Sequence, residues 1–203
     1  MIQLNSKENK IWFTSDTHFC HKNIINFCER PYGSIEEMNK ALIDNWNERV
    51  GDNDIIFHLG DVAFCYDWSN ILSQLKGRKF LVLGNHDKYY NRGKNASFFE
   101  AITPKIVANI DGRTVYMNHE PLLTFSGIFN GQSINLFGHV HTKEGITNGD
   151  SERLKILSPY HYDVGVDNNN YYPVSWEEVQ EIIKKQKEKF MKERLARPLI
   201  GES

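Results

Sequence analysis

The feature that most constrains this chain is a repeated punctuation, in which apolar runs of strand length stop abruptly at Asp, His, Asn or Gly. Residues 11–15 (IWFTS), 54–58 (DIIFH) and 79–83 (KFLVL) read as buried strands, and each ends in a small polar or glycine cluster. Between the first two, Ser34 and Glu37 form a capping box and Met38, Leu42 and Trp46 repeat at helical spacing, which predicts a crossover helix over 34–50. Strand, helix and strand in alternation point to an α/β layered fold. Further on, 105–110 and 113–118 flank Asp111-Gly112, a strong hairpin signal, and 133–137 and 162–166 read as additional strands. A second capping box, Ser175 with Glu178, opens a final helix whose expected buried stripe is Trp176, Val179, Ile183 and Phe190. Residues 197–203 read as a loose tail.

Composition narrows the class. A chain of 203 residues with 40% hydrophobic and 25% charged residues is globular in type. A fold of this size buries roughly 70% of the surface of its unfolded chain, so a metal in it would be functional rather than needed to hold a core. With 24 Lys and Arg against 26 Asp and Glu, the net charge of -2 lacks the footprint of a general nucleic-acid binder. Cys20, Cys28 and Cys65 form no CxxC pair and suit a reducing cytosol. No segment approaches the ~18 apolar residues of a membrane span, which gives the expectation of a cytoplasmic protein with no membrane partner. No linker or repeat divides the chain, so one domain over 1–203 is expected, and the mixed charges of 184–197 read as a solvated helix face.

The chemistry is concentrated where the strands end. Asp16-Thr17-His18, Gly60-Asp61, Gly84-Asn85-His86-Asp87, Asn118-His119-Glu120 and Gly138-His139-Val140-His141 mostly follow apolar runs. In an α/β sheet such ends share one edge, so residues distant in sequence can converge there. Carboxylates, imidazoles and an amide oxygen without thiolate suit Mn, Fe, Zn or Mg. Seven candidate ligands (Asp16, His18, Asp61, Asn85, His119, His139 and His141) exceed one tetrahedral ion but serve two that share a carboxylate. Two cations roughly 3.5 to 4 Å apart lower the pKa of a bridging water and neutralise a phosphoryl group during in-line displacement. His86 is left over, placed to protonate a departing alkoxide or to stabilise charge on the transferring oxygens. Singly, Asp16-x-His18 and Gly60-Asp61 are also ordinary turn sequences; their order and joint occurrence carry the reading.

That ordered set resembles the calcineurin-like metallophosphoesterase superfamily, with all five blocks present between Asp16 and His141. The resemblance implies a four-layer α/β/β/α sandwich with mixed sheets and a dinuclear site. It implies that Asp16, His18 and His141 bind one ion, that Asn85, His119 and His139 bind the other, and that Asp61 bridges them. It makes His86 the catalytic, non-ligand histidine, and the cofactors two divalent ions, manganese in vitro, with iron, zinc, nickel or magnesium as alternatives. Two departures, Gly60-Asp61-Val62-Ala63 without the Asp-Arg of protein phosphatases and Asp87 in place of Glu, argue against a dedicated protein phosphatase. Small prokaryotic or phage phosphoesterases are more similar.

The expected activity is hydrolysis of phosphate esters, phosphodiesters ahead of monoesters and nucleotides among them, by a metal-bridging hydroxide. A phosphomonoesterase is the rival enzyme, and a non-catalytic metal-binding scaffold the rival of another class. His21 and Arg30 are candidates for substrate phosphate, with a solvent-facing His and a carboxylate-paired Arg as the alternative. His58 reads as a hydrogen-bonded core histidine near the site, and Asp163 or Asp167 either as orienting a metal histidine or as capping a turn. Trp46, Trp68 and Trp176 read as core, and Phe19 and Tyr66 as pocket lining.

Overall fold

The structure is a computed structural model that describes residues 1–143 and 154–196. The expected tail at 197–203 lies outside the described residues. In chain order the elements are β1 (Ile2–Leu4), β2 (Ile11–Thr14), α1 (Lys22–Phe27), α2 (Ile35–Arg49), β3 (Ile55–His58), α3 (Ser69–Leu72), β4 (Arg78–Val82), β5 (Phe99–Thr103), β6 (Ile106–Ile110), β7 (Arg113–Met117), β8 (Ser133–Phe137), β9 (His161–Asp163), β10 (Val174–Ser175) and α4 (Trp176–Ala196). They build two five-stranded mixed sheets, ordered β10-β2-β3-β4-β5 and β1-β6-β7-β8-β9. The first is parallel except for β10. In the second, only the β6–β7 hairpin pairs antiparallel.

Alternation along the strands builds two apolar layers. Ile11, Phe13, Ile55 and Phe57 face the second sheet and pack with Ala108, Val115, Ile134, Leu136 and Tyr162. Trp12, Ile56 and Leu81 face the other way, onto Met38, Leu42 and Trp46 of α2 and onto Ile71 and Leu72 of α3. A period of two therefore places successive residues on opposite faces, and both faces are buried. The far side of the second sheet is met, among the described residues, by the segment 121–132, where Phe125 packs on Tyr116 and His161. The mixed α/β architecture is thus as expected.

Most elements read from the sequence are present within a residue or two. Ser34 Oγ accepts the Glu37 amide, and Ser175 Oγ accepts the Glu178 amide while the Glu178 carboxylate takes the Ser175 amide. Trp46, Trp68 and Trp176 are core residues. Two expectations are corrected. Phe190 is exposed, because the buried apolar contacts of α4 end at Ile183, beyond which Gln186 bonds the Pro159 and His161 carbonyls from its side chain. The strand expected at 162–166 is β9, which ends at Asp163 because 165–168 turn back to bond the Asp163 side chain and carbonyl.

The hairpin turn also fastens other parts of the chain. Asp111 and Gly112 both take positive φ, 51° and 87°, as a two-residue turn of this type demands. The Asp111 carboxylate accepts from Trp176 Nε1 at 2.9 Å and from the Ser6 amide at 3.0 Å, tying α4 and the N-terminal segment to the hairpin. Asp111→Ala should therefore lower unfolding free energy by about 1–3 kcal/mol in urea titration, through an orphaned indole N–H and a strained turn. Asp111→Asn, which tolerates the same backbone and keeps an acceptor, should cost less than half of that.

Candidate metal centre

Beyond the ends of β2 and β3 the two chains stay hydrogen-bonded: the amides of Asp16, His18 and Phe19 donate to the carbonyls of Gly60, Asp61 and Val62. A parallel bridge between Ser15 and Gly165 then joins the first sheet to the second, and the Gly138 amide donates to the His119 carbonyl. The motif loops therefore meet where the two sheets meet. Five of the ten described non-glycine residues with positive φ are Asp16, His18, Asp61, His139 and His141. Such backbone is costly for residues with a Cβ, and its concentration here marks a site that the surrounding fold holds in place. Close approach adds a second demand: a Cβ at Gly138 would collide with Ser15 Oγ and Asp16 Oδ2, and one at Gly84 with Asp61.

Each of the two central carboxylates is held at one oxygen and bare at the other. Asp16 Oδ2 accepts the His139 amide at 2.9 Å, and Asp61 Oδ1 accepts the His86 amide at 2.9 Å. Asp16 Oδ1 faces His18 Nε2 and His141 Nε2 at 3.8 and 3.7 Å. Asp61 Oδ2 lies between His18 Nε2 and His119 Nε2, at 3.5 and 3.6 Å. Asn85 Oδ1 is 3.0 Å from both His119 Nε2 and His139 Nδ1. All seven sequence-derived ligand candidates are thereby brought together.

The hydrogen bonds on the far sides of the rings decide what these atoms present. His119 Nδ1 is 2.8 Å from the Leu59 carbonyl, which only accepts, so Nδ1 carries the hydrogen and neutral Nε2 offers a lone pair. His141 Nδ1 likewise faces Asp167 Oδ2 at 2.7 Å, leaving Nε2 toward Asp16. Asp16 Oδ1 and His18 Nε2 are fully buried without any hydrogen-bond partner. Lone pairs aimed at lone pairs in a buried site repel unless cations stand among them. Asp16, His18 and His141 form one candidate ligand group and Asp16, Asp61 and His119 another, so the donor set fits divalent ions. Where no ion meets them, burial works against charge on His141, but its hydrogen bonds to Asp167 and Cys28 and the nearby Asp16 carboxylate outweigh it and raise the ring to about 11.

An outer layer fixes these donors. Arg30 is buried, its Nε and Nη2 paired with the two Asp167 oxygens at 2.9 Å each, and its Nη1 and Nη2 bonded to the carbonyls of Thr17 and Asp16. This corrects the expectation that Arg30 contacts substrate, since its guanidinium is committed inward. Of the two candidate orienting carboxylates, Asp167 holds His141, whereas Asp163 accepts from the Thr142 amide and hydroxyl and anchors the chain after it. His58 is the buried, bonded histidine expected: Gly60 N donates to its Nδ1, so its Nε2 donates to Thr17 Oγ1, which donates to the Val62 carbonyl. Asp87, read from the sequence only as a motif member, accepts the amides of Gly84, Asp61 and Val62 and so clamps two motif loops together.

On the open side stand exposed His86 and half-buried His21. His21 Nδ1 is 3.3 Å from His18 Nδ1, and its ring stacks on Phe64 at 3.7 Å and 8°. Phe64 also touches the His18 and His86 rings, a role that no motif announced. The pocket lining expected of Phe19 and Tyr66 is corrected: Phe19 is wholly buried in the core, and Tyr66 is exposed against Tyr89.

Such a centre at the joined edges of two mixed sheets defines a class of metal-dependent phosphoesterases, and the comparisons agree. The profile of the calcineurin-like phosphoesterase family matches residues 9–195, and the chain belongs to that family. It is 33% identical over 184 residues to the uncharacterized protein MJ1445 of Methanocaldococcus jannaschii, spanning 88% of this chain and 93% of that one. It is also 33% identical over 90 residues to the Gene 66 protein of Mycobacterium phage L5, covering 42% and 43% of the two. A crystal structure of AQ665 from Aquifex aeolicus, a protein of unknown function, is similar with a TM-score of 0.67 at 25% identity, covering 86% of this chain and 99% of that one.

Two outcomes follow from this geometry. Gly138→Ala should displace the Asp16 carboxylate and weaken manganese binding at least tenfold in a direct titration, with far-UV circular dichroism unchanged. Burial, and the neighbouring His119 after it, lower His58 to about 3, so the folded state favours the neutral ring. That contribution is complete above the unfolded value near 6.5 and is lost as pH falls toward 3, by up to about 1.4 kcal/mol per unit. In chelator-treated protein, the stability advantage over His58→Gln should shrink steadily from pH 6.5 to pH 4; a constant gap would contradict it.

Proposed function

We propose that the protein is a dinuclear-metal phosphoesterase that hydrolyses phosphodiesters. The observation that carries this reading is the set of buried, unpartnered donors: Asp16 Oδ1, His18 Nε2 and the lone pairs facing them. Asp16, His18 and His141 would hold one ion and Asn85, His119 and His139 the other, with Asp61 available to both. Two divalent ions, when bound there, supply an activated water and offset charge on the phosphoryl oxygens.

The chain's own residues do the rest. Asp61 is aimed by the amide of His86, so the turn that bears the catalytic histidine also sets the central carboxylate. His86 stands exposed at the mouth, with its ring centroid 5.9 Å from that of His18, placed to give a proton to the departing alcohol. If His18 coordinates through Nε2, its Nδ1–H donates to His21 Nδ1 and leaves His21 Nε2–H as a donor to a phosphate oxygen. Arg30 acts through Asp167 on His141 and positions that ligand. A monoester dianion calls for an additional cationic clamp. Arg30 is turned away from that task, which favours the singly charged diester.

Manganese-loaded protein should turn over bis(p-nitrophenyl) phosphate with a higher kcat/KM than p-nitrophenyl phosphate; the reverse order would overturn the diester preference. His86→Ala should keep its metal content and lose about 100-fold or more in kcat, in line with the loss of a general acid. Asp61→Asn should instead lower the metal content itself, read by elemental analysis after desalting.

A further inference from the structure

Two of the three cysteines take no part in the metal centre or its supports, yet they sit together on the loops that build it. Cys20 lies two residues beyond His18, and Cys65 four beyond Asp61. Their chains run side by side: Phe19 and Ala63 form a parallel bridge, and the Phe64 amide donates to the Phe19 carbonyl at 2.8 Å. Just past that bridge the side chains also meet, since the two thiols lie within hydrogen-bonding reach of each other and pack on the same apolar layer. His21 and Phe64, the residues next to them, stack face to face at 3.7 Å.

The two sulfurs are bonded differently. Asn39 Nδ2, on α2, donates to Cys20 Sγ at 3.8 Å, whereas Cys65 Sγ donates to the Asp67 carbonyl at 3.4 Å. An amide pointed at a sulfur favours negative charge developing there, so Cys20 is the one arranged to attack. Both side chains are half-buried, open enough for a small reagent. Cys28, in contrast, is buried beside His141 and Asp167.

We propose that Cys20 and Cys65 form a reversible disulfide, a modification site through which a small disulfide oxidant acts on the centre. With oxidised glutathione as the reagent, Cys20 Sγ attacks one of its sulfurs and expels a glutathione thiolate. Cys65 Sγ then attacks Cys20 Sγ in the mixed disulfide and expels the second. The two cysteines lose two protons and two electrons, and the reagent leaves as two molecules of glutathione. In a reducing cytosol both thiols are free at rest and such a bridge is transient. The bond brings the sulfurs closer than non-bonded contact allows, so it draws the two loops together. His21 follows Cys20 and Phe64 precedes Cys65, so the movement reaches the stacked pair at the mouth of the centre. The effect on turnover rests on the phosphoesterase reading above; the bridge itself does not.

The test incubates manganese-loaded protein with oxidised glutathione, then maps its peptides without reduction and follows turnover of bis(p-nitrophenyl) phosphate. A peptide linking Cys20 to Cys65 should appear, with the chain lighter by two hydrogens and Cys28 unmodified, and dithiothreitol should reverse it. With the bridge formed, kcat/KM should fall about tenfold, the scale of a small displacement of positioned groups, and it should recover on reduction. Cys20→Ala should come through the same treatment with its activity unchanged, and Cys65→Ala should stop at a glutathione adduct on Cys20. Absence of the linked peptide, modification of Cys28 instead, or a bridge that leaves kcat/KM untouched would overturn the proposal. Protein that forms the bridge but cleaves no phosphoester when reduced keeps the dithiol site and removes the catalytic reading.

Discussion

The rest of the structure turns on the Asp16 carboxylate and on how little of it is left unbound. Its amide is held by Gly60, its carbonyl by Arg30, and one carboxylate oxygen by the His139 amide, so contacts from both sheets fix it. The remaining oxygen is buried and bare between two histidines. Burying a carboxylate oxygen without a hydrogen bond costs free energy, so the fold holds a locally unfavourable arrangement that positive charge beside it relieves. The strained φ of 57° at the same residue belongs to that arrangement. Its maintenance falls to the apolar layer between the sheets, where Phe13 and Phe57 stack just below the loops.

Much of this was legible in the sequence, for a physical reason. β2 and β3 are buried at every residue and so read as apolar runs, and α2 and α4 announce themselves through capping residues, Ser34 accepting the Glu37 amide and Ser175 and Glu178 closing a full box. The elements that escaped are those whose stability is supplied from far away. β1 is three residues in a polar stretch and exists because it pairs with β6 about a hundred positions on; β10 is two residues laid against β2. β5 joins β4 through an irregular register that no periodicity foretells. At the centre, residue types and spacing are legible, but which oxygen is free and which ring nitrogen is already bonded depend on contacts such as His119 with Leu59, sixty residues apart.

Arg30 shows the same limit. In sequence it is a cation after the first motif, and a phosphate contact is the natural reading. Its partner Asp167 lies 137 positions away, where a short turn after β9 delivers it. A buried ion pair is weak evidence for stability, because desolvation offsets most of the attraction. Here it has another consequence. Burial works to raise the pKa of Asp167, but the His141 hydrogen bond and the Arg30 guanidinium hold it below its ordinary value, so it stays an anion facing the far nitrogen of His141. A carboxylate in that place fixes the tautomer and raises the basicity of the ring toward whatever lies at Nε2. The positive charge that the sequence offered to the substrate is thus spent on shaping a candidate ligand, and the open side of the centre is left to His21, His86 and Phe64.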